Sequence, residues 1–168
     1  MKIIRQLVSI LSCLLVCAVV AMAVLLVGVR LIGLAPYKVL SGSMEPTYPV
    51  GSMIYVRGID ADEISVGMPL TFRTSGGVVA THRVVEITEL DGSVAYITQG
   101  DANAHPDPPV VYAAVVGSPV FCIPHLGYVS TWIQSEAGVI AGVALIALLL
   151  LCAVLTELLQ RERTPTRP

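Results

Sequence analysis

The sequence predicts a small, mostly β domain held between two apolar helices. Three observations predict it. The 168 residues are 55% hydrophobic and only 13% charged, and the excess apolar residues gather at the two ends of the chain. Between those ends lie short β-type runs separated by Gly, Pro, Asp and Ser turn signals. The middle is also long enough to bury one small core of its own.

The first apolar block runs from Gln6 to Val29 without a charged residue, between Arg5 and Arg30. About 20 apolar residues suffice for a helix to cross a bilayer, so the expected division is a tail over 1–5 and a membrane helix over 6–33. A cleaved signal peptide is the alternative, with Ala21-Met22-Ala23 as its cleavage site; the apolar run continues beyond that point and is longer than the usual apolar core of such peptides. The second block, Ala137 to Thr156, lies between Glu136 and Glu157 and places a membrane helix over 137–157. Arg161, Arg163 and Arg167 follow it in a basic tail over 158–168, and no Lys or Arg shortly precedes it. Positive residues favour the cytoplasmic side, so both termini are expected there, with the β-rich domain over 34–136 on the extracytoplasmic side.

Within that domain, Ser52–Arg57, Pro69–Arg73, Val78–Thr88 and Val110–Val120 are the strand candidates. Asp91-Gly92 reads as a two-residue hairpin turn between Glu86–Leu90 and Ser93–Thr98. Asp101–Pro109 contains Pro106, Pro108 and Pro109 and must be a loop. The expected architecture is therefore a compact, mainly antiparallel sheet.

Charge and cysteine content exclude several functions. From Pro36 to Glu136 there are four basic residues against ten acidic ones, the opposite of a nucleic-acid-binding face. Cys13, Cys17 and Cys152 fall in the apolar blocks and Cys122 alone in the middle, so the domain has no internal disulfide and no zinc spacing. Neither a cofactor nor a metal is expected. A metal site built from His82, His105, Asp101 and Asp107 is conceivable, but no spacing demands it.

Chemistry has few places to reside. Ser41-Gly42-Ser43-Met44-Glu45-Pro46 follows the first helix and could expose a hydroxyl beside backbone N–H groups; it also reads as an ordinary Ser/Gly turn. A serine nucleophile needs a base. Lys2 is on the wrong side of the membrane and Lys38 is only five residues from Ser43, which leaves His82, His105 and His125. His82 sits in a β-type segment that could hold an imidazole rigidly, or simply carry a strand histidine. His105 lies in the Pro-rich loop and His125 beside Pro124, both suited to exposed positions. Asp101 and Asp107 offer a carboxylate to orient the imidazole, though Asp is also a common turn residue.

Taken in order, these segments resemble the type I signal peptidases, in the archaeal, endoplasmic-reticulum and sporulating-bacterium branch that uses histidine in place of lysine. Ser41–Pro46 resembles the nucleophile box, Thr81-His82-Arg83-Val84-Val85 the histidine box, and Thr98–Asn103 followed by Asp107 the acidic box. Val116-Gly117 and Ile123–Tyr128 resemble the last motif before the second membrane helix. Departures are Ser52 after Gly51 and Met68 after Gly67, where the family often has Asp, and His125 where an aromatic residue is usual.

The resemblance implies Ser43 as nucleophile, His82 as general base and then acid, and Asp107 as its acidic partner. Asp101 takes a second acidic position, and the Ser43 N–H and Ser41 hydroxyl become oxyanion donors. It implies preproteins bearing signal peptides as substrates, met at the surface of membrane lipid and cut after small side chains at the first and third positions before the scissile bond. The apolar run Val50–Val56 is expected to line the pockets for them. Accessory subunits are not legible in the sequence. Two other readings fit the composition: a non-catalytic membrane-anchored binding domain, and a membrane protease acting on mature proteins.

Overall fold

The computed structural model describes residues 2–161 and divides the chain into two compact units. One, Met22–Tyr128, holds the sheet; the other comprises the helical ends up to Ala21 and from Val129 on. The remaining part of the basic tail expected over 158–168, with Arg163 and Arg167, lies outside the described residues.

Seven strands form one sheet in the order β1-β2-β7-β3-β4-β5-β6, every neighbouring pair antiparallel. They are β1 (Leu34–Lys38), β2 (Met53–Arg57), β3 (Pro69–Arg73), β4 (Val79–Leu90), β5 (Ser93–Gln99), β6 (Val110–Val111) and β7 (Val115–Ile123). The hairpin expected at Asp91-Gly92 joins β4 to β5, and both turn residues are left-handed (φ 53° and 77°), as a tight turn matching the strand twist requires. Register shifts at Tyr55/Val56, Thr71/Phe72 and Val84/Glu86 mark irregularities that increase local bending and twist.

Two clusters of buried side chains hold this unit together. Val29, Leu34, Met53, Tyr55 and Leu126 form one, with Met22, Leu25, Leu26 and Ile123 packed against it; Ile64, Leu70, Val84 and Tyr96 form the other, joined by Ile59 and Val115. Burying a side chain of this size contributes roughly 1.5–3 kcal/mol, so each cluster offsets a substantial part of the chain entropy lost in ordering its strands.

Three features differ from the sequence reading. β1 is a strand that the expectation omitted, because Leu34–Lys38 carries a proline and directly follows the apolar block; Pro36 is tolerated because β1 is an edge strand paired only with β2. The single strand expected over Val110–Val120 is two strands interrupted by a 3-10 turn at Tyr112–Ala114. The end of the domain expected to be β-rich is helical over Leu126–Gln134 (α2).

The N-terminal helix α1 covers Lys2–Leu26 and gives way to a 3-10 turn at Gly28–Ile32, so it stops short of residue 33. The C-terminal helix α3 covers Glu136–Arg161. Among the described residues no single helix is long and apolar enough to cross a membrane. Ser12–Leu26 is a shorter apolar helical stretch, and Leu126–Gln134 with Glu136–Leu148 reaches the required length only as a pair bent by 80°.

Candidate active site

Ser43 is presented by a 3-10 turn, Gly42–Met44, that follows extended Ser41. Met44 is buried and anchors the turn, while the Glu45 N–H donates to the Gly42 carbonyl at 3.0 Å and closes it. His82 comes from β4, where Leu70 of β3 is its cross-strand neighbour. The Thr81 and Thr71 hydroxyls, cross-strand neighbours in the same ladder, bond at 2.8 Å and tie the strands beside it. Phe72 meets the imidazole edge-on, with ring centroids 6.1 Å apart. These contacts restrict the ring, which is only 12% exposed.

Ser43 Oγ lies 3.1 Å from His82 Nε2, and His82 Nδ1 lies 2.5 Å from Asp107 Oδ2. A carboxylate can only accept, so the Nδ1–H donates to Asp107 and leaves Nε2 to accept from the Ser43 hydroxyl. Asp107 is fixed in turn: its N–H donates to the Thr98 carbonyl at 2.7 Å, and Thr98 Oγ1 donates to Asp107 Oδ2 at 2.8 Å. A hydroxyl, an imidazole and a carboxylate linked in this order can pass a proton from the hydroxyl to the imidazole while the carboxylate stabilises the imidazolium. Ser41 Oγ stands 3.4 Å from Ser43 Oγ.

Asp101 does something different. Arg83 Nε donates to Asp101 Oδ1 at 2.8 Å and Arg83 Nη2 to Asp101 Oδ2 at 2.7 Å; Thr47 Oγ1 also donates to Oδ2, at 2.5 Å. Arg83 Nη1 reaches the Gly67 carbonyl at 2.7 Å. The Arg83 hydrogen bonds hold the Asp101 carboxyl below the usual carboxylate range, and the same bonds raise Arg83 further. The cluster ties β4, the acidic loop and the segment after Ser43 to one another. The backbone adds a further tie, Ala102 N–H to Ser43 carbonyl at 2.9 Å.

Ser43 and His82 open onto a cleft of about 430 Å³ whose lining includes Val39–Ser41, Val78–Thr81, Met44, Tyr48 and Asn103. Of the run Val50–Val56 expected to line the pockets, Ile54 alone reaches it. Met53 and Tyr55 are buried in one of the core clusters, because successive strand residues face opposite sides of the sheet, and Val56 is buried as well. Lys38 also lines the cleft. A second cavity, about 490 Å³, borders His82 and Asp107 with Phe72, Arg73 and Pro108. His105 is exposed, and His125 is exposed with its ring stacked near Tyr128. Among the described residues no three His, Cys, Asp or Glu side chains could hold a metal ion.

Over 71 residues the chain is 42% identical to signal peptidase I W of Bacillus subtilis (strain 168). It is also 36% identical over 67 residues to the human signal peptidase complex catalytic subunit SEC11C, and 36% over 75 to the putative human subunit SEC11B. This chain is a homologue of the type I signal peptidases. The match to signal peptidase I W takes in 42% of the chain and 37% of the relative; for SEC11C the shares are 39% and 35%, and for SEC11B 44% and 45%. The chain thus spans less than half the length of these signal peptidases in the matched region. No protein-family model matches it.

Sequence reasoning placed Thr98 and Asn103 within the acidic segment without giving either a role, and it did not reach Thr47. Thr98 and Asn103 flank the acidic residues in sequence, which is a weak hint, whereas Thr47 meets Asp101 across 54 residues and leaves no local signal.

Proposed function

We propose that this chain is a membrane-bound serine endopeptidase that removes N-terminal signal peptides from exported preproteins. The observation that carries the reading is the Ser43–His82–Asp107 hydrogen-bonded chain, with Ser43 and His82 lining an open cleft, in a homologue of signal peptidases. Ser43 Oγ attacks the scissile carbonyl as His82 Nε2 takes its proton; the resulting imidazolium is stabilised by Asp107. The Ser43 N–H and the Ser41 hydroxyl donate to the developing oxyanion, where one such donor is worth about 2.7–4 kcal/mol. His82 then protonates the leaving amine, and water releases the acyl group from Ser43. The cleft walls are mainly apolar, with Ala80 and Ile54 among them, which suits small apolar side chains before the cut.

The two apolar segments anchor the enzyme, with both termini cytoplasmic and the catalytic domain outside. The uncharged runs Gln6–Val29 and Ala137–Thr156 and the arginines after the second support this arrangement. Anchoring enzyme and substrate in one bilayer reduces the search for a productive orientation.

The test is cleavage of a preprotein with a small-x-small site in liposomes. Wild type cuts; Ser43→Ala and His82→Ala lose on the order of 10⁴-fold or more, and Asp107→Asn loses about 10²–10⁴-fold, with the proteins still folded and inserted. Equal cleavage by Ser43→Ala rejects the catalytic reading in favour of a binding domain. New N-termini outside signal peptides reject the substrate assignment.

A further inference from the structure

Asn103 stands at the cleft with no role in the Ser43–His82–Asp107 chain. Its backbone is pinned on several sides: its N–H donates to the Gly100 carbonyl at 2.9 Å, its carbonyl accepts from Gln99 Nε2 at 2.8 Å, and the preceding Ala102 N–H holds the Ser43 carbonyl at 2.9 Å. The side chain is different. It is exposed, it lines the same cleft as Ser43 and His82, and among the described residues its amide NH2 meets no acceptor. The residue is also held near the nucleophile. A methyl group built on Gly100 would stand 2.5 Å from the Ser43 carbonyl oxygen and 2.8 Å from Asn103 Nδ2, so both atoms crowd the same side of Gly100.

Three other hydroxyls of the cleft already have partners: Ser43 with His82, Ser41 with Ser43, and Thr81 with Thr71. A mainly apolar cleft orients its occupant through a few placed polar groups. A carboxamide on an immobilised backbone loses little freedom when it binds, which favours a directed contact. A peptide in this cleft brings main-chain carbonyls that lose water on entry and need donors.

We infer that Asn103 is a substrate-contacting residue whose amide donates a hydrogen bond to a main-chain carbonyl of the peptide lying in the cleft beside Ser43. The inference rests on the peptidase reading above and adds to it a contact that is independent of side-chain identity in the substrate.

The experiment measures binding of a fluorescent signal peptide with a small-x-small site to the full chain carrying Ser43→Ala, in detergent, where nothing is cut. Asn103→Ala and Asn103→Asp are each added to that background; the second keeps the size and removes the donors. Both are expected to weaken binding about 5–10-fold, the worth of one neutral hydrogen bond, with Tm unchanged. With Ser43 present, KM rises by a similar factor while kcat holds. Unchanged affinity in both variants overturns the inference alone. So does a fall in kcat at unchanged KM, which would place the amide on the transition state. Absence of peptide binding by the Ser43→Ala parent overturns the peptidase reading and this inference with it. If Asn103→Ala does not fold, the isosteric Asp variant decides.

Discussion

Arg83 and Asp101 form a two-pronged ion pair, Nε to Oδ1 at 2.8 Å and Nη2 to Oδ2 at 2.7 Å, immediately after His82 in the chain. The pair couples the strand that carries the imidazole to the loop that carries Asp107. It is partly exposed, with side-chain accessibilities of 32% and 16%, so its stabilising effect is moderated by solvent. Paired geometry of this kind is still the strongest form of such a contact.

Stability should depend on pH through Asp101. Its carboxyl is held below its ordinary value of 3.8 in the folded protein, chiefly by the Arg83 hydrogen bonds. The unfolded chain therefore binds the proton more readily, and the stabilisation is fully present above about pH 4 and lost as pH falls through the lowered folded value. Asp101→Asn is expected to lower Tm at neutral pH by an amount equivalent to about 1 kcal/mol. Calorimetry at decreasing pH should show wild type and variant converging below pH 3.8. A difference that stays constant with pH would assign the loss to packing.

Thr47 tests whether that ion pair also positions Ser43. Its hydroxyl donates to Asp101 Oδ2 four residues after Ser43. Thr47→Val should lower kcat several-fold with little change in KM, and Thr47→Ser should restore it, because the serine retains the donor. Combined with Asp101→Asn, the two losses should be less than additive, as expected of residues in one network.

Thr98 controls the acidic partner of His82. Removing its hydroxyl in Thr98→Val leaves Asp107 Oδ2 with one donor fewer. The loss of about 1 kcal/mol of orientation should reduce kcat roughly fivefold while the fold persists. Steady-state kinetics beside far-ultraviolet circular dichroism separates the two effects.

Gly100 is required by close approach. A Cβ there would sit 2.5 Å from the Ser43 carbonyl oxygen, a backbone atom that cannot swing aside. Gly100→Ala is expected to displace the turn that carries Ser43, costing about 1–3 kcal/mol of stability and most of the proposed peptidase activity. Urea unfolding and the cleavage assay measure the two; wild-type values in both would mean that the loop yields without consequence.

Periodicity and turn chemistry are local, so much of the sheet was legible in the chain. Pro69–Arg73 is the strand expected there, and Asp91-Gly92 makes the expected turn because its residues tolerate positive φ. Ser41–Pro46, the His82 segment and the Asp101–Asp107 loop stand out by composition and order, which suffices to nominate residues. Distances between them depend on strand pairing over long separations. Only the folded chain brings Ser43 to His82 across 39 residues and His82 to Asp107 across 25.

The division of labour between the two acidic residues was likewise decided by the tertiary structure. In sequence Asp101 and Asp107 are loop carboxylates six residues apart, with nothing local to separate them except resemblance. In the fold, Arg83 of β4 meets Asp101, while the return of the loop onto Thr98 carries Asp107 to the imidazole. β1 and α2 escaped the sequence reading for the same reason: an edge strand with a proline and an apolar helical turn acquire their form from the neighbours they pack against. By itself the sequence determined the apolar ends, most of the strands and the residues capable of chemistry, since these follow from local patterning. Their meeting at one cleft was decided by tertiary structure, because burial and pairing join residues that are far apart along the chain.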